Sequence, residues 1–101
     1  MQIIRSRKYQ IRLLRILQHI AKDKASASRT FQKELDTHIK NIPDFPYKYR
    51  QSIYFDTENV RDMVYKKYTI NYEVNLENNS IEILDIFNQN KPSQNKPSEV
   101  V

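Results

Sequence analysis

The stretch from Val60 to Ile86, VRDMVYKKYTINYEVNLENNSIEILDI, decides how this 101-residue chain folds. From Thr69 to Leu76 polar and apolar residues alternate without a fault: Ile70, Tyr72, Val74 and Leu76 fall on one side, Thr69, Asn71, Glu73 and Asn75 on the other. Successive side chains of a β-strand point to opposite faces, so the pattern predicts a strand with one face on a core and one in water. Asn78 and Asn79 stand where the chain must reverse, and asparagine tolerates the left-handed backbone of tight turns better than most residues. Ser80 to Ile86 then runs back, and Ile81, Ile83, Leu84, Ile86 and the adjoining Phe87 supply apolar side chains to both faces, as a strand inside a sheet requires. Upstream, Val60 to Tyr65 reads as a third strand, connected through Lys66 and Lys67 to Tyr68. The result is an antiparallel meander that presents a polar and aromatic face beside a basic turn.

Toward the N-terminus the apolar period lengthens. Tyr9, Leu13, Ile16, Leu17 and Ile20, widened by Leu14 and Ala21, predict an amphipathic helix with Ser6 as its N-cap. Lys8, Arg12 and Arg15 make the other face of that helix basic. Ala27, Phe31, Leu35, Ile39 and Ile42 predict a second helix over about Ser26 to Asn41. The link Lys22-Asp23-Lys24 is so short that the two helices must be antiparallel neighbours. Their matching apolar stripes disfavour a membrane-surface role for the first. Gln2, Ile3 and Ile4 could form an edge strand, and Pro43 and Pro46 end the second helix and open the loop IPDFPYKYRQS. Ser52 to Phe55 reads either as a short strand or as more loop running to Asn59. After Phe87, NQNKPSQNKPSEVV contains two NKPS units and no large apolar residue before its last two, which predicts a domain over residues 1–90 and a mobile tail over 91–101. The expected fold class is α+β: an N-terminal short strand and an antiparallel helix hairpin packed on a three- to four-stranded antiparallel sheet.

Composition narrows the chemistry. The chain has no cysteine, which excludes disulfides and thiolate metal sites, and no glycine, which disfavours the phosphate-cradling loops of nucleotide hydrolysis and dinucleotide binding. No cofactor and no metal site are expected. The opening MQIIRSRKYQ lacks the apolar run of a signal peptide, and no run is long enough to cross a bilayer, so a cytoplasmic protein without membrane contact is expected. Residues 1 to 50 carry 12 basic and 4 acidic groups, net +8, whereas residues 51 to 101 carry 5 and 8, net −3. Such asymmetry suggests an anionic partner for the first half, nucleic acid or an acidic protein, unless the cations only solvate the two helices.

The order strand, helix hairpin, proline-bearing loop and meander resembles the RelE/ParE superfamily of toxins from bacterial type II toxin-antitoxin pairs. More specific is VRDMVYKKYTINYEV, which is similar to that family's Arg-opened strand, basic turn and Tyr-x-Ile-x-Tyr strand. IEILDIFNQNKP resembles its last strand, and PYKYR, with Pro46 and Arg50, resembles the proline and arginine that follow the hairpin in the ParE-like branch. Together these cover residues 2 to 92. The resemblance implies a growth-arresting toxin, neutralised by a cognate antitoxin in a hetero-oligomer, with DNA gyrase as the target in the ParE-like branch. The RelE-like branch implies instead a ribosome-dependent endoribonuclease that cuts mRNA. Where that branch often carries a catalytic Arg, after the first Tyr of the motif, this chain has Thr69. Where it places Arg, or His with Tyr, after the last strand, this chain has Phe87, Asn88, Gln89 and Asn90, with Lys91 the nearest cation. These departures favour the gyrase reading; a degenerate toxin that only binds its antitoxin is a third.

Cutting RNA through its 2′-hydroxyl needs a base, an acid and positive charge on the phosphate. If the chain is a nuclease, Arg61, Tyr65, Lys67 and Lys91 are the candidates, although Arg61 and Tyr65 could instead pack beside the helices. Period-two counting puts Arg61, Met63, Tyr65 and Lys67 on one face. Tyr72 reads as structural, and His19 and His38 as helix-surface residues away from the sheet. For binding a target or nucleic acid the candidates are Lys48, Tyr49 and Arg50 of the aromatic loop, with Arg61, Lys66 and Lys67. That loop could equally be pinned by its tyrosines onto the second helix. For the antitoxin the candidates are Lys8, Arg12 and Arg15, met by an acidic or amphipathic helical tail that could also add a strand at the sheet edge.

Overall fold

A computed structural model describes residues 1–88 as β1 (Gln2–Arg5), α1 (Arg7–Asp23), α2 (Ala25–Lys40), a single 3-10 turn (Ile42–Asp44), β2 (Arg50–Gln51), β3 (Val60–Tyr65), β4 (Tyr68–Asn75) and β5 (Ser80–Asn88). The expected tail over 91–101, and Lys91 with it, lie outside the described residues.

The meander forms where the alternation puts it. Tyr65 pairs with Tyr68 across a two-residue turn, and Asn75 with Ser80 across a four-residue one. With no glycine to take the left-handed backbone, Lys66 takes it in the first turn (φ 55°) and Asn79 in the second (φ 51°). The Asn75 side chain supports the second turn by accepting the Asn78 N–H at 3.0 Å.

The α+β architecture is as expected, with four C-terminal strands, and the N-terminal strand joins them in one sheet. It has five, in the order β1-β5-β4-β3-β2, and β1 runs parallel to β5. The parallel pairing is possible because the helix hairpin and the rest of the sheet intervene between the two strands. The extra strand β2 is Arg50–Gln51 on β3, not Ser52–Phe55. β5 is therefore an interior strand, as its two apolar faces require. Its register slips at Leu84, because Asn71 faces Asp85 while Tyr72 faces Ile83. This bulge lets Ile81 and Ile83 and then Ile86 share the helix-facing side, while Phe87 turns to the opposite face with Thr69 and the Asp85 carboxylate reaches Lys8 and Arg12 of α1.

The helices begin and join through small polar residues. Ser6 caps α1, its Oγ accepting the Tyr9 N–H at 3.1 Å and donating to the Leu84 carbonyl at 2.8 Å, while its own N–H reaches the Ile83 carbonyl. One serine thus starts the helix and sews it to β5. Lys24, extended at φ −159°, is the whole link between α1 and α2, and the Ser28 hydroxyl donates across it to the Leu17 carbonyl at 2.8 Å. The apolar stripes of both helices then close over Met63, Ile70, Tyr72, Ile81, Ile83 and Ile86.

Two readings of β4 are corrected. Leu76 is exposed, because pairing ends at Asn75 and it belongs to the turn, with no neighbouring strand to cover it. The polar face is not in water: Thr69 and Asn71 are both buried, because the segment from Ser52 to Asn59 folds over that side. Tyr54 packs edge-on against Phe87 at 5.2 Å, and Asp62, buried beneath the segment, accepts from Asn71 Nδ2 at 2.6 Å and from the Ile53 N–H at 3.4 Å. Among the described residues no helix is long and apolar enough to cross a membrane.

Candidate functional site

The aromatic and basic loop is pinned by its tyrosines onto the sheet, not onto α2. The Tyr72 hydroxyl donates to the Pro46 carbonyl at 2.6 Å, and the Tyr49 ring meets the Tyr72 ring edge-on at 6.4 Å. Arg61 completes the clamp. Its Nε donates to the Glu58 carbonyl at 2.9 Å, its Nη1 to the Tyr49 carbonyl at 3.0 Å, and the Tyr47 ring covers the guanidinium at 4.8 Å. Tyr47 in turn donates to Asn59 Oδ1 at 3.0 Å, joining the loop before β2 to the end of the β2–β3 connection. The Arg50 guanidinium lies 3.8 Å from the buried Asp62 carboxylate while its side chain stays largely exposed, and Lys48 is also at the surface, its ammonium over the Tyr49 ring.

The β3–β4 turn forms a second cluster, against α2. The Tyr65 hydroxyl donates to Glu34 Oε1 at 2.7 Å, Lys66 lies 3.8 Å from the same carboxylate, and the His38 ring rests 4.9 Å from the Tyr65 ring. His38 Nδ1 is 2.8 Å from the Glu34 carbonyl and so carries the proton of that bond. Burial, and then the bond to Glu34, push the Tyr65 phenol up to about 12, and burial also raises Tyr68 and Tyr72. Such phenols hold their protons at neutral pH and make poor bases. Lys67 is exposed at the tip of the turn.

On α1 the three expected cations separate. Lys8 Nζ and Arg12 Nε lie 3.5 and 3.7 Å from the oxygens of Asp85, a carboxylate almost fully buried at the bulge of β5. Arg15, one turn on, stays exposed. It lines a groove of about 320 Å³ with Arg12, Ile16, His19, Tyr68, Ile86, Phe87 and Asn88. His19 is thus beside the end of the sheet, contrary to the expectation that it lies away from it, because α1 leaves β1 and runs along β5. Asp85 and His19 are the residues that sequence reasoning missed here, whereas Tyr68 is already a candidate for stacking or proton donation in the sequence. The one available signal was the acidic residue inside the apolar run IEILDIF.

Of the positions where the nuclease branch would carry its cations, Thr69, Phe87 and Asn88 are among the described residues. Thr69 and Phe87 face each other across β4 and β5, both buried on the side that Tyr54 covers. Among the described residues no group of three or more His, Cys, Asp or Glu could hold a metal ion.

No curated protein matches the chain in sequence. The family model described as ParE toxin of type II toxin-antitoxin system, parDE, does match, over residues 3–92, which takes in both helices, the clamped loop and the whole sheet. With nearly its full length matched and the α+β fold in place, the chain belongs to the ParE toxin family of type II toxin-antitoxin systems.

Proposed function

We propose that this toxin arrests growth by acting on DNA gyrase in the cytoplasm, and that a cognate antitoxin holds it inactive in a hetero-oligomer. Beyond family membership, the observation that carries the choice of target is the covered sheet face. Of the positions where a RelE-like nuclease would carry cations, Thr69 and Phe87 are both buried, and the Tyr54 ring packs on Phe87. The Ser52–Asn59 segment over that face is held down by bonds to Asp62 and Arg61. Arg61, the remaining arginine of the meander, is bound to main-chain carbonyls. These features support a toxin that works by docking, through exposed groups such as Lys48, Lys66 and Lys67, in place of cutting RNA.

The test is expression of the toxin with and without its antitoxin, followed by mapping of transcript ends and of the DNA-damage response. Growth arrest with damage induction, intact transcripts and loss of gyrase supercoiling activity in vitro is the expected outcome. Fresh cleavages inside translated codons would replace gyrase with messenger RNA as the target. Absence of arrest together with tight antitoxin binding would mark a degenerate toxin.

A further inference from the structure

We infer that the target docks on the outer side of the Ser52–Asn59 segment and the free edge of β3 beside it. The occupant is a folded protein surface with an apolar centre and acidic groups on one flank; this rests on the reading of the chain as a toxin that works by docking. Burial is inverted along the segment. Beneath it lie polar groups, for Ser52, Asp62, Thr69 and Asn71 are all buried. Above it Ile53 and Phe55 are 66% and 42% exposed, while Tyr54 between them turns inward onto the Phe87 ring. A loop shaped by the hydrophobic effect alone would do the reverse. The arrangement is also fixed in place. Asp62 accepts from the Ile53 N–H and from Asn71 Nδ2, Ser52 Oγ accepts the Tyr54 N–H at 3.1 Å, and Arg61 holds the far end through the Glu58 carbonyl. A buried polar network thus holds two apolar side chains in water, preorganised for a partner that covers them.

The edge of β3 extends the patch. Its outer neighbour β2 pairs with Arg61 and Asp62, and the Val60 carbonyl accepts the Ser52 N–H. Backbone groups of an antiparallel edge strand face outward at alternate residues. Those of Val64 therefore follow Val60 and Asp62, and no strand lies beyond them among the described residues. The Val64 side chain is 46% exposed, on the same face of β3 as Asp62, to which Ile53 is bonded. That face points away from the helices, which pack on Met63 and Tyr65. It is therefore separate from the basic face of α1. The rim carries both signs of charge. Lys48 and Arg50 precede the segment and Lys66 and Lys67 follow Val64, all exposed, while Asp56 and Glu58 are exposed on the segment itself. A polyanion drawn to the lysines would be repelled by these two acids, and Ile53 and Val64 can neither stack on a base nor bind a phosphate. A protein surface that is apolar in the middle and acidic where it meets the four cations satisfies every part of the patch.

Purified DNA gyrase is the probe, with the full chain freed from its antitoxin. Ile53→Ser with Phe55→Ser should raise the toxin concentration for half-inhibition of supercoiling by roughly 10- to 100-fold, with the thermal melt and the antitoxin affinity unchanged. Val64→Thr, which exchanges one methyl for a hydroxyl, should show a smaller loss of the same kind. If the double variant lowers the melt, Val64→Thr decides alone. Leu76→Ser, as exposed as Ile53 but in the β4–β5 turn, should inhibit as the wild type does. Full inhibition by the patch variants, with gyrase inhibited by the wild type, would overturn the proposal and leave the toxin reading standing. Loss of antitoxin affinity with gyrase inhibition kept would give the patch to the antitoxin, and loss of binding to a duplex DNA oligonucleotide with inhibition kept would give it to nucleic acid. Either result overturns the proposal. A wild-type chain without effect on gyrase would overturn the target reading and this proposal together.

Discussion

Arg61 aims its guanidinium at the carbonyls of Glu58, Tyr49 and, at 3.5 Å, Tyr47, and so ties the loop before β2 to the end of the β2–β3 connection. Arg61→Ala would leave those carbonyls without their donor and uncover the Tyr47 ring. Charge-assisted bonds at a partly exposed site suggest a loss of about 1–2 kcal/mol, read as a lower urea midpoint, with toxicity kept at temperatures where the variant stays folded. If Arg61→Ala abolished toxicity without moving the midpoint, Arg61 would be a functional contact and not a staple. Both fates of Arg61 were open in the sequence. Period-two counting placed it beside Met63 and Tyr65, which are core residues, so the packed alternative was legible. The burial of its neighbour Asp62 was not, since an aspartate in a strand says nothing of a loop folded over it. Tyr9 poses the opposite case. It is fully buried, and its hydroxyl has no hydrogen-bond partner among the described residues. Tyr9→Phe removes that desolvated group and should stabilise the fold by up to about 1 kcal/mol at neutral pH. Burial, and then the Asp36 carboxylate, push the Tyr9 phenol up from 10.0 to about 12. The unfolded chain thus loses this proton first, and stability that is complete below pH 10 declines as pH rises toward 12. Thermal melts across that range should show Tyr9→Phe gaining most at the alkaline end, with a residual decline from Tyr65 and Tyr72.

The β3–β4 hairpin is the element whose local chemistry is least favourable. A lysine at φ 55° accepts left-handed backbone that its Cβ resists. Lys66 also pairs with Glu34, but both side chains are about half exposed, so the pair contributes little. Lys66→Gly should therefore stabilise the protein by about 0.5–1 kcal/mol, and Lys66→Asn by a smaller amount. Urea titration reads the gain, and a loss on either substitution would mean that the Glu34 pair outweighs the backbone strain. The element pattern explains which parts of the fold could be read beforehand. Helices and meander strands long enough to repeat their period were legible, together with the Ser6 cap and the Asn79 turn. β2 has two residues and no period. The bulge at Leu84 hides inside an unbroken apolar run, where either face looks equally suitable. His19 lay on a legible helix, but its proximity to β5 depends on the path of α1 along the strand, which no local pattern encodes.

At the scale of the molecule, charge is divided between layers. The first 50 residues, net +8, form β1, both helices and the clamped loop, and residues 51–88, with 3 basic and 7 acidic groups and so net −4, form most of the sheet. Arg7, Arg15, Lys22, Arg29, Lys33 and Lys40 are all exposed on the helical layer, while Glu73 and Glu82 stand opposite each other on the sheet. A partner carrying acidic groups is thus drawn to the helix side and turned away from the acidic strands before any contact forms. Steering of this kind acts over the screening length, about 10 Å at 0.1 M salt, and so it should appear in the association rate more than in the lifetime of the complex. Between 50 and 500 mM NaCl the rate at which the antitoxin binds should fall by about tenfold, with dissociation changing less, as stopped-flow mixing would measure. Charge reversal at Arg29 and Lys33 should flatten the salt dependence of association while leaving dissociation alone. An association rate indifferent to salt in the wild type would mean that the basic layer serves solubility alone.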